Sequence, residues 1–124
     1  MDMISTPDAP QPAGHYSQGV VHDGLLYIAG QVPLDPATRE LKVDSFEQQA
    51  RQVFANMEAI AQAAGTSLQC TLKVTIYVSD MKHWKVCNDA FIEAFGECKP
   101  ARAVIPVCPF KGFDIEAEAV VALC

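Results

Sequence analysis

Two places in the sequence hold residues able to do chemistry in surroundings where they are costly to keep idle. Arg102 stands in Pro100-Ala101-Arg102-Ala103-Val104-Ile105-Pro106-Val107, a short apolar run bounded by prolines. A guanidinium buried there without a partner is expensive, so Arg102 is paired, exposed or held for an anion. Its planar fork matches a carboxylate through charge-assisted hydrogen bonds worth on the order of 1.5–3 kcal/mol each when desolvated. A salt bridge to a carboxylate of the sheet or of another subunit would satisfy it equally. Glu118 lies between small residues in Ile115-Glu116-Ala117-Glu118-Ala119, a segment that otherwise reads as core strand. Strand alternation puts Glu116 on the same face, and two neighbouring carboxylates raise the pKa of the more buried one. A carboxylate shifted in this way can position or deprotonate a water near neutral pH. Two glutamates facing solvent, or paired with basic residues, are the alternative.

Other chemistries find less support. His15, His22 and His83 are scattered, and the cysteines have no paired spacing, so no metal site is expected. There is no glycine-rich phosphate loop, so no nucleotide-phosphate cradle is expected, and a serine nucleophile elbow is missing as well. The five cysteines, Cys70, Cys87, Cys98, Cys108 and Cys124, are odd in number and widely spaced, which reads as free thiols in a reducing compartment. Fifteen acidic against nine basic residues give a net charge of −6, a field that repels phosphate backbones, so nucleic acid is not an expected partner. The acidic, proline-rich start Met1 to Gly14 does not read as a signal peptide, and no run approaches the roughly 18 apolar residues of a membrane span. A cytoplasmic protein with no membrane partner is the expectation.

The elements that must position Arg102 and the glutamates follow from periodicity. The 124 residues suit a single domain, 1–124, with 1–14 as an extended, mobile lead. Tyr16–His22 and Leu25–Ile28 predict an antiparallel hairpin turned by Asp23-Gly24, followed by a loop through Asp35-Pro36-Ala37-Thr38. Phe46, Ala50, Val53, Met57, Ile60 and Ala64 recur at spacings of three and four, predicting a helix with Ser45 and Gln48 as a capping box and Gly65 as its stop. Leu72, Val74, Ile76 and Val78 alternate with polar residues as a strand with one buried face. Asp80 is expected to cap a second helix whose apolar stripe, Trp84, Cys87, Phe91 and Phe95, reads as core. The proline-bounded run around Arg102 predicts an edge-like or bulged strand. Ile115 to Leu123 predicts a last strand. This order implies an α+β domain with a mixed sheet covered by two helices on one face. A free monomer of this size buries only roughly two thirds of its unfolded surface, so the natural cover for the other face is another subunit.

In order along the chain, Gly14-His15-Tyr16-Ser17-Gln18-Gly19, Ala29-Gly30-Gln31-Val32-Pro33, Asn88, Pro100-Ala101-Arg102 and Ile115-Glu116-Ala117-Glu118-Ala119 resemble the RidA/YjgF family of enamine and imine deaminases. The likeness runs from about residue 4 to 123 with family-like spacing. It implies a chorismate-mutase-like α+β fold assembled as a homotrimeric barrel with three clefts between subunits. It further implies hydrolysis of reactive 2-imino or enamine acids to 2-keto acids and ammonia without metal or cofactor. By this resemblance Arg102 holds the substrate carboxylate, Glu118 orients or activates water, and Tyr16 closes the pocket near the imine. Gly30 brings backbone groups close to the ligand, and Asn88 lines or supports the cleft. An imine is already electrophilic, so a carboxylate clamp and a placed water can suffice.

Three departures from the family pattern stand near these positions. His15 replaces the usual proline before the tyrosine, Val104 occupies a position where many members carry cysteine, and Pro106 replaces a more usual polar residue. Cys108 is expected to be a simple loop thiol, and the loop from Phe110 to Asp114 to shape substrate choice. A trimer that binds keto acids without turnover is the alternative function. The ribonuclease activity attached to some members is disfavoured by the acidic charge and the lack of a histidine pair.

Overall fold

The structure, a computed structural model, describes residues 1–42, 44–108 and 112–124. Its strands are β1 (Asp2–Ile4), β2 (Gly19–His22), β3 (Leu25–Gln31), β4 (Thr71–Val78), β5 (Ala101–Pro106) and β6 (Ile115–Ala122), with helices α1 (Phe46–Ala63) and α2 (Trp84–Phe95). They form one mixed sheet in the order β1-β2-β3-β6-β4-β5, in which only β4 and β5 run parallel. The expected α+β class is therefore observed, and β5 is an edge strand, where its closing proline removes no ladder bond that a central strand would need.

The hairpin closes where Asp23-Gly24 places it, both residues having positive φ (51° and 77°), the backbone of a two-residue turn matched to strand twist. The preceding strand starts at Gly19 rather than Tyr16, which leaves Tyr16 in a loop. The lead is not loose. Gln18 is buried, and its amide accepts from the Thr6 N–H at 2.7 Å and donates to the carbonyls of Thr6, Ala9 and Pro10. One buried side chain thus does for the lead what a ladder does for a strand, and Asp2–Ile4 adds a true strand against β2.

Helix α1 starts as expected, with Ser45 Oγ accepting the Gln48 N–H at 3.2 Å, and stops before Gly65 at φ 82°. Asp80 does not cap α2 itself: it accepts the Lys82 N–H and caps a single 3₁₀ turn, Met81–His83, that leads into the helix. The core lies between the helices and one sheet face. Val53, Phe54, Met57 and Ile60 of α1 meet Leu26, Val74, Ile76, Ile115 and Val121 of the sheet, and each large apolar side chain buried there contributes about 1.5–3 kcal/mol. Phe54 sets its edge against Phe91 and Phe95 of α2, which stack on one another at 4.0 Å.

Three details differ from the periodic expectation. Leu72 is exposed because a register shift between Thr71 and Lys73 reverses the phase of β4, burying Thr71 instead. Trp84, expected in the core, is 42% exposed, since it occupies the first turn of α2 beside the sheet edge. The five expected free thiols are three: Cys70 and Cys124 are disulfide-bonded, with Cα atoms 6.4 Å apart, while Cys87, Cys98 and Cys108 are free. A sequence separation of 54 between the bonded pair hides the fact that β4 begins where β6 ends, with Thr71 opposite Val121.

Candidate functional site

Register decides which side chains share a face. Val74 is paired with Arg102, and Val74 points into the helix-covered core, so Arg102 emerges on the helix side of the β5 edge. Thr75 is paired with Glu118 and Tyr77 with Glu116, and these residues lie on the opposite, open face. Arg102 and Glu118 are therefore on opposite faces of the sheet within one chain.

On the helix side, Arg102 is half-buried, and its Nη1 donates to Asn88 Oδ1 at 2.8 Å. The guanidinium carbon lies 4.8 Å from the Phe91 ring centre and 5.8 Å from that of Trp84. A cleft of about 570 Å³ opens there, lined by Asn88, Phe91, Ile92, Lys99, Pro100 and Arg102 among others. Among the described residues every ion pair forms without Arg102. Its own chain thus holds the arginine with a neutral amide and two ring faces, not with a carboxylate, and its charge stays uncompensated. Beneath it the buried Cys87 thiol is pushed up to about 11 by desolvation, against the smaller opposing pull of Arg102, so it is not a thiolate nucleophile near neutrality.

On the open face, β6 sits at the centre of the sheet. Glu118 Oε1 accepts from the Tyr77 hydroxyl at 2.7 Å, and this bond to the carboxylate is the main reason the Tyr77 pKa is raised. Glu116, half-buried, is the glutamate of the pair with the raised pKa, first through desolvation and then through the charge of Glu118. Gly30 lies in the irregular pairing between Ile28 and Gln31, and any Cβ there would run into the Glu116 carboxylate. The absence of a side chain lets the β3 backbone approach that carboxylate. Gly30 also lines a cavity of about 90 Å³ together with Tyr16, Gln18 and Arg39. Tyr16 is exposed, its hydroxyl accepting a long 3.4 Å bond from the Ala13 N–H.

The five positions named by the sequence therefore fall into two groups. Arg102 and Asn88 are in direct contact, while Gly30 links Tyr16 on one side to the Glu116–Glu118 pair on the other. Sequence reasoning missed Tyr77, the partner of Glu118, and the two rings around Arg102. Tyr77 could have been found from its place on the polar face of β4, but only register puts it beside Glu118. Val104 is half-buried two residues from Arg102, Pro106 ends β5, and Cys108 is an exposed thiol. Phe110 lies outside the described residues. Asp114, at the far end of the stretch from Phe110, accepts from Ser79 Oγ at 2.7 Å and from Gln49 Nε2 at 3.3 Å. Among the described residues no group of three or more His, Cys, Asp or Glu side chains is placed to hold a metal ion, and no helix is long and apolar enough to cross a membrane.

A mixed six-stranded sheet with two helices on one face, an edge-strand arginine and a glutamate-bearing central strand define a recognisable class of small α+β protein. The sequence pattern of the family described as Endoribonuclease L-PSP matches residues 6–123, and the chain belongs to that family, also called RidA/YjgF. A RutC family protein of Pyrococcus horikoshii is 43% identical over 120 residues, covering 96% of this chain and 95% of the relative. A protein of Bos taurus named 2-iminobutanoate/2-iminopropanoate deaminase is 35% identical over 119 residues, covering 95% and 87% respectively. The solved structure of RidA from an Antarctic Psychrobacter superimposes with a TM-score of 0.94 at 38% identity, covering 98% of this chain and 99% of that one.

Proposed function

We propose that this chain hydrolyses reactive 2-imino or enamine acids to 2-keto acids and ammonia, in clefts formed between subunits of a homotrimer. The observation that carries this reading is Arg102, half-buried and held by neutral groups, with its charge left for an anion. Relatives named as imine deaminases support the reaction class. Arg102 and Glu118 face opposite ways in one chain, so a site using both is completed by a second copy. One subunit supplies Arg102 and Asn88, and its neighbour supplies Glu118, Tyr16 and Gly30.

In this scheme Arg102 binds the substrate carboxylate and fixes the imine carbon. Glu118, with Oε1 already engaged by Tyr77, takes a proton from water through its other oxygen as the water oxygen bonds to that carbon. Glu118 returns that proton to the nitrogen of the tetrahedral adduct, and the new hydroxyl gives up the second proton to nitrogen as the carbon–nitrogen bond breaks, so ammonia departs, the carbonyl of the 2-keto acid forms and Glu118 is again a carboxylate. Holding electrophile and water together replaces a strong nucleophile or metal. In a chain of net charge −6 the anionic substrate is drawn by the local cation against an unfavourable overall field.

The test generates 2-aminoacrylate with a dehydratase and follows ammonia and keto acid release above the spontaneous rate. Wild type is expected to accelerate release, and Arg102→Ala to lose most of that acceleration. Equal rates in the two would overturn the catalytic assignment. Tight 2-ketobutyrate binding by calorimetry with no acceleration would instead identify a keto acid-binding trimer.

A further inference from the structure

Trp84, Asn88 and Phe91 stand at positions one, five and eight of α2, a spacing that stacks them along one helix face. All three touch Arg102: two rings flank the guanidinium and an amide oxygen accepts from Nη1. Phe91 is itself stacked on Phe95 and met edge-on by Phe54, so this wall of the holder is fixed in the core. Trp84, partly exposed, adds a second ring near the guanidinium at the surface.

We propose that Trp84 and Phe91, with Asn88, are positioning residues that hold Arg102 ready for a carboxylate and keep its charge intact. This rests on the reading of Arg102 as the carboxylate-binding residue. An arginine side chain is long and flexible, and binding an anion with a free one requires ordering it at that moment. Here the ordering precedes binding, the preorganisation that raises affinity without adding a contact. The chemical nature of the holder matters as much as its shape. Ring faces attract the cation through their quadrupole and the amide oxygen satisfies one N–H, yet none of them carries a charge that would compete with the incoming carboxylate. Asn88 engages one of five guanidinium N–H groups, and a bidentate carboxylate needs two.

Trp84 is the sole tryptophan of the chain, so its emission reports on the guanidinium beside it. Wild-type protein is titrated with 2-ketobutyrate while Trp84 emission is followed, and imine hydrolysis is measured in parallel. A saturable emission change is expected, absent in Arg102→Ala. Trp84→Leu, read by calorimetry, is expected to weaken 2-ketobutyrate binding and to raise KM about tenfold with kcat within about twofold. Trp84→Phe is expected to restore both. Asn88→Asp preserves the hydrogen bond but adds a negative charge, and is expected to weaken binding well beyond tenfold with an unchanged melting temperature. A purely structural role would leave Asn88→Asp binding normally, and that result, or wild-type affinity in Trp84→Leu, overturns the proposal. Binding that ignores Arg102→Ala overturns it as well. If wild type binds 2-ketobutyrate with this pattern but hydrolyses no imine, the holder stands and the deaminase reading fails.

Discussion

At the scale of single residues, the two glutamates of β6 have separated roles. Glu118 is exposed and bonded by Tyr77, whereas Glu116 is half-buried against Gly30 and carries the raised pKa. The sign for stability follows from linkage. The folded chain keeps the Glu116 proton at a pH where the unfolded chain, near the ordinary 4.5, has lost it. Stability is therefore greatest below 4.5 as far as this group is concerned, and falls as pH rises from 4.5 through the raised folded value. Glu116→Gln is expected to remove that slope and to be more stable than wild type at neutral pH, as read from urea midpoints across pH 4 to 7. A slope unchanged by the substitution would assign the pH dependence to other groups. Arg102 was legible from its type and surroundings, because a cation in an apolar strand demands a partner. That the partner is an amide between two rings was not legible, since Trp84 and Phe91 fit a core stripe equally well by spacing.

At the scale of elements, the helices and the last strand were readable because each carries a clear period and its own stop signals, as at Ser45 and Gly65. Backbone irregularities are one place where the period stops predicting burial and contact. The shift at Leu72 reverses the alternation of β4, and the irregular pairing around Gly30 brings β3 to the Glu116 carboxylate. The lead was misread as mobile because polar anchoring by one glutamine has no periodic signature. Gln18→Ala would leave the buried Thr6 N–H and three carbonyls without this partner, at a cost of about 1–3 kcal/mol. The expected result is a lower melting temperature with faster hydrogen exchange confined to residues 2–10. Faster exchange spread evenly over the chain would show that the lead is held by something else. Because Gln18 also lines the small cavity beside Tyr16 and Gly30, the same variant is expected to lower imine hydrolysis.

At the scale of the whole molecule, the open sheet face carries Tyr27, Val120, Thr75, Tyr77, Ala103 and Ile105 around Glu116 and Glu118, so apolar and aromatic side chains border the two carboxylates without a helix to cover them. In the proposed trimer this face is covered by neighbouring copies, and catalysis depends on that cover. Light scattering is expected to give three times the chain mass for wild type. Tyr27→Asp, three strands away from Arg102 within one chain, is expected to shift the mass toward one chain and to abolish imine hydrolysis while the isolated fold persists by circular dichroism. A fully active monomer would refute a site built from two subunits.

The sequence by itself determined the elements with strong periodicity, the edge nature of the Arg102 strand, the family, and the residue types available for chemistry. These are properties of local spacing, and local spacing is what periodic burial writes into a chain. Tertiary structure alone decided which of those residues meet. Strand register put Arg102 and Glu118 on opposite faces, joined Glu118 to Tyr77, and brought Cys70 to Cys124 across 54 residues. Pairing between distant segments depends on the packing of the whole sheet, which no single stretch of sequence encodes.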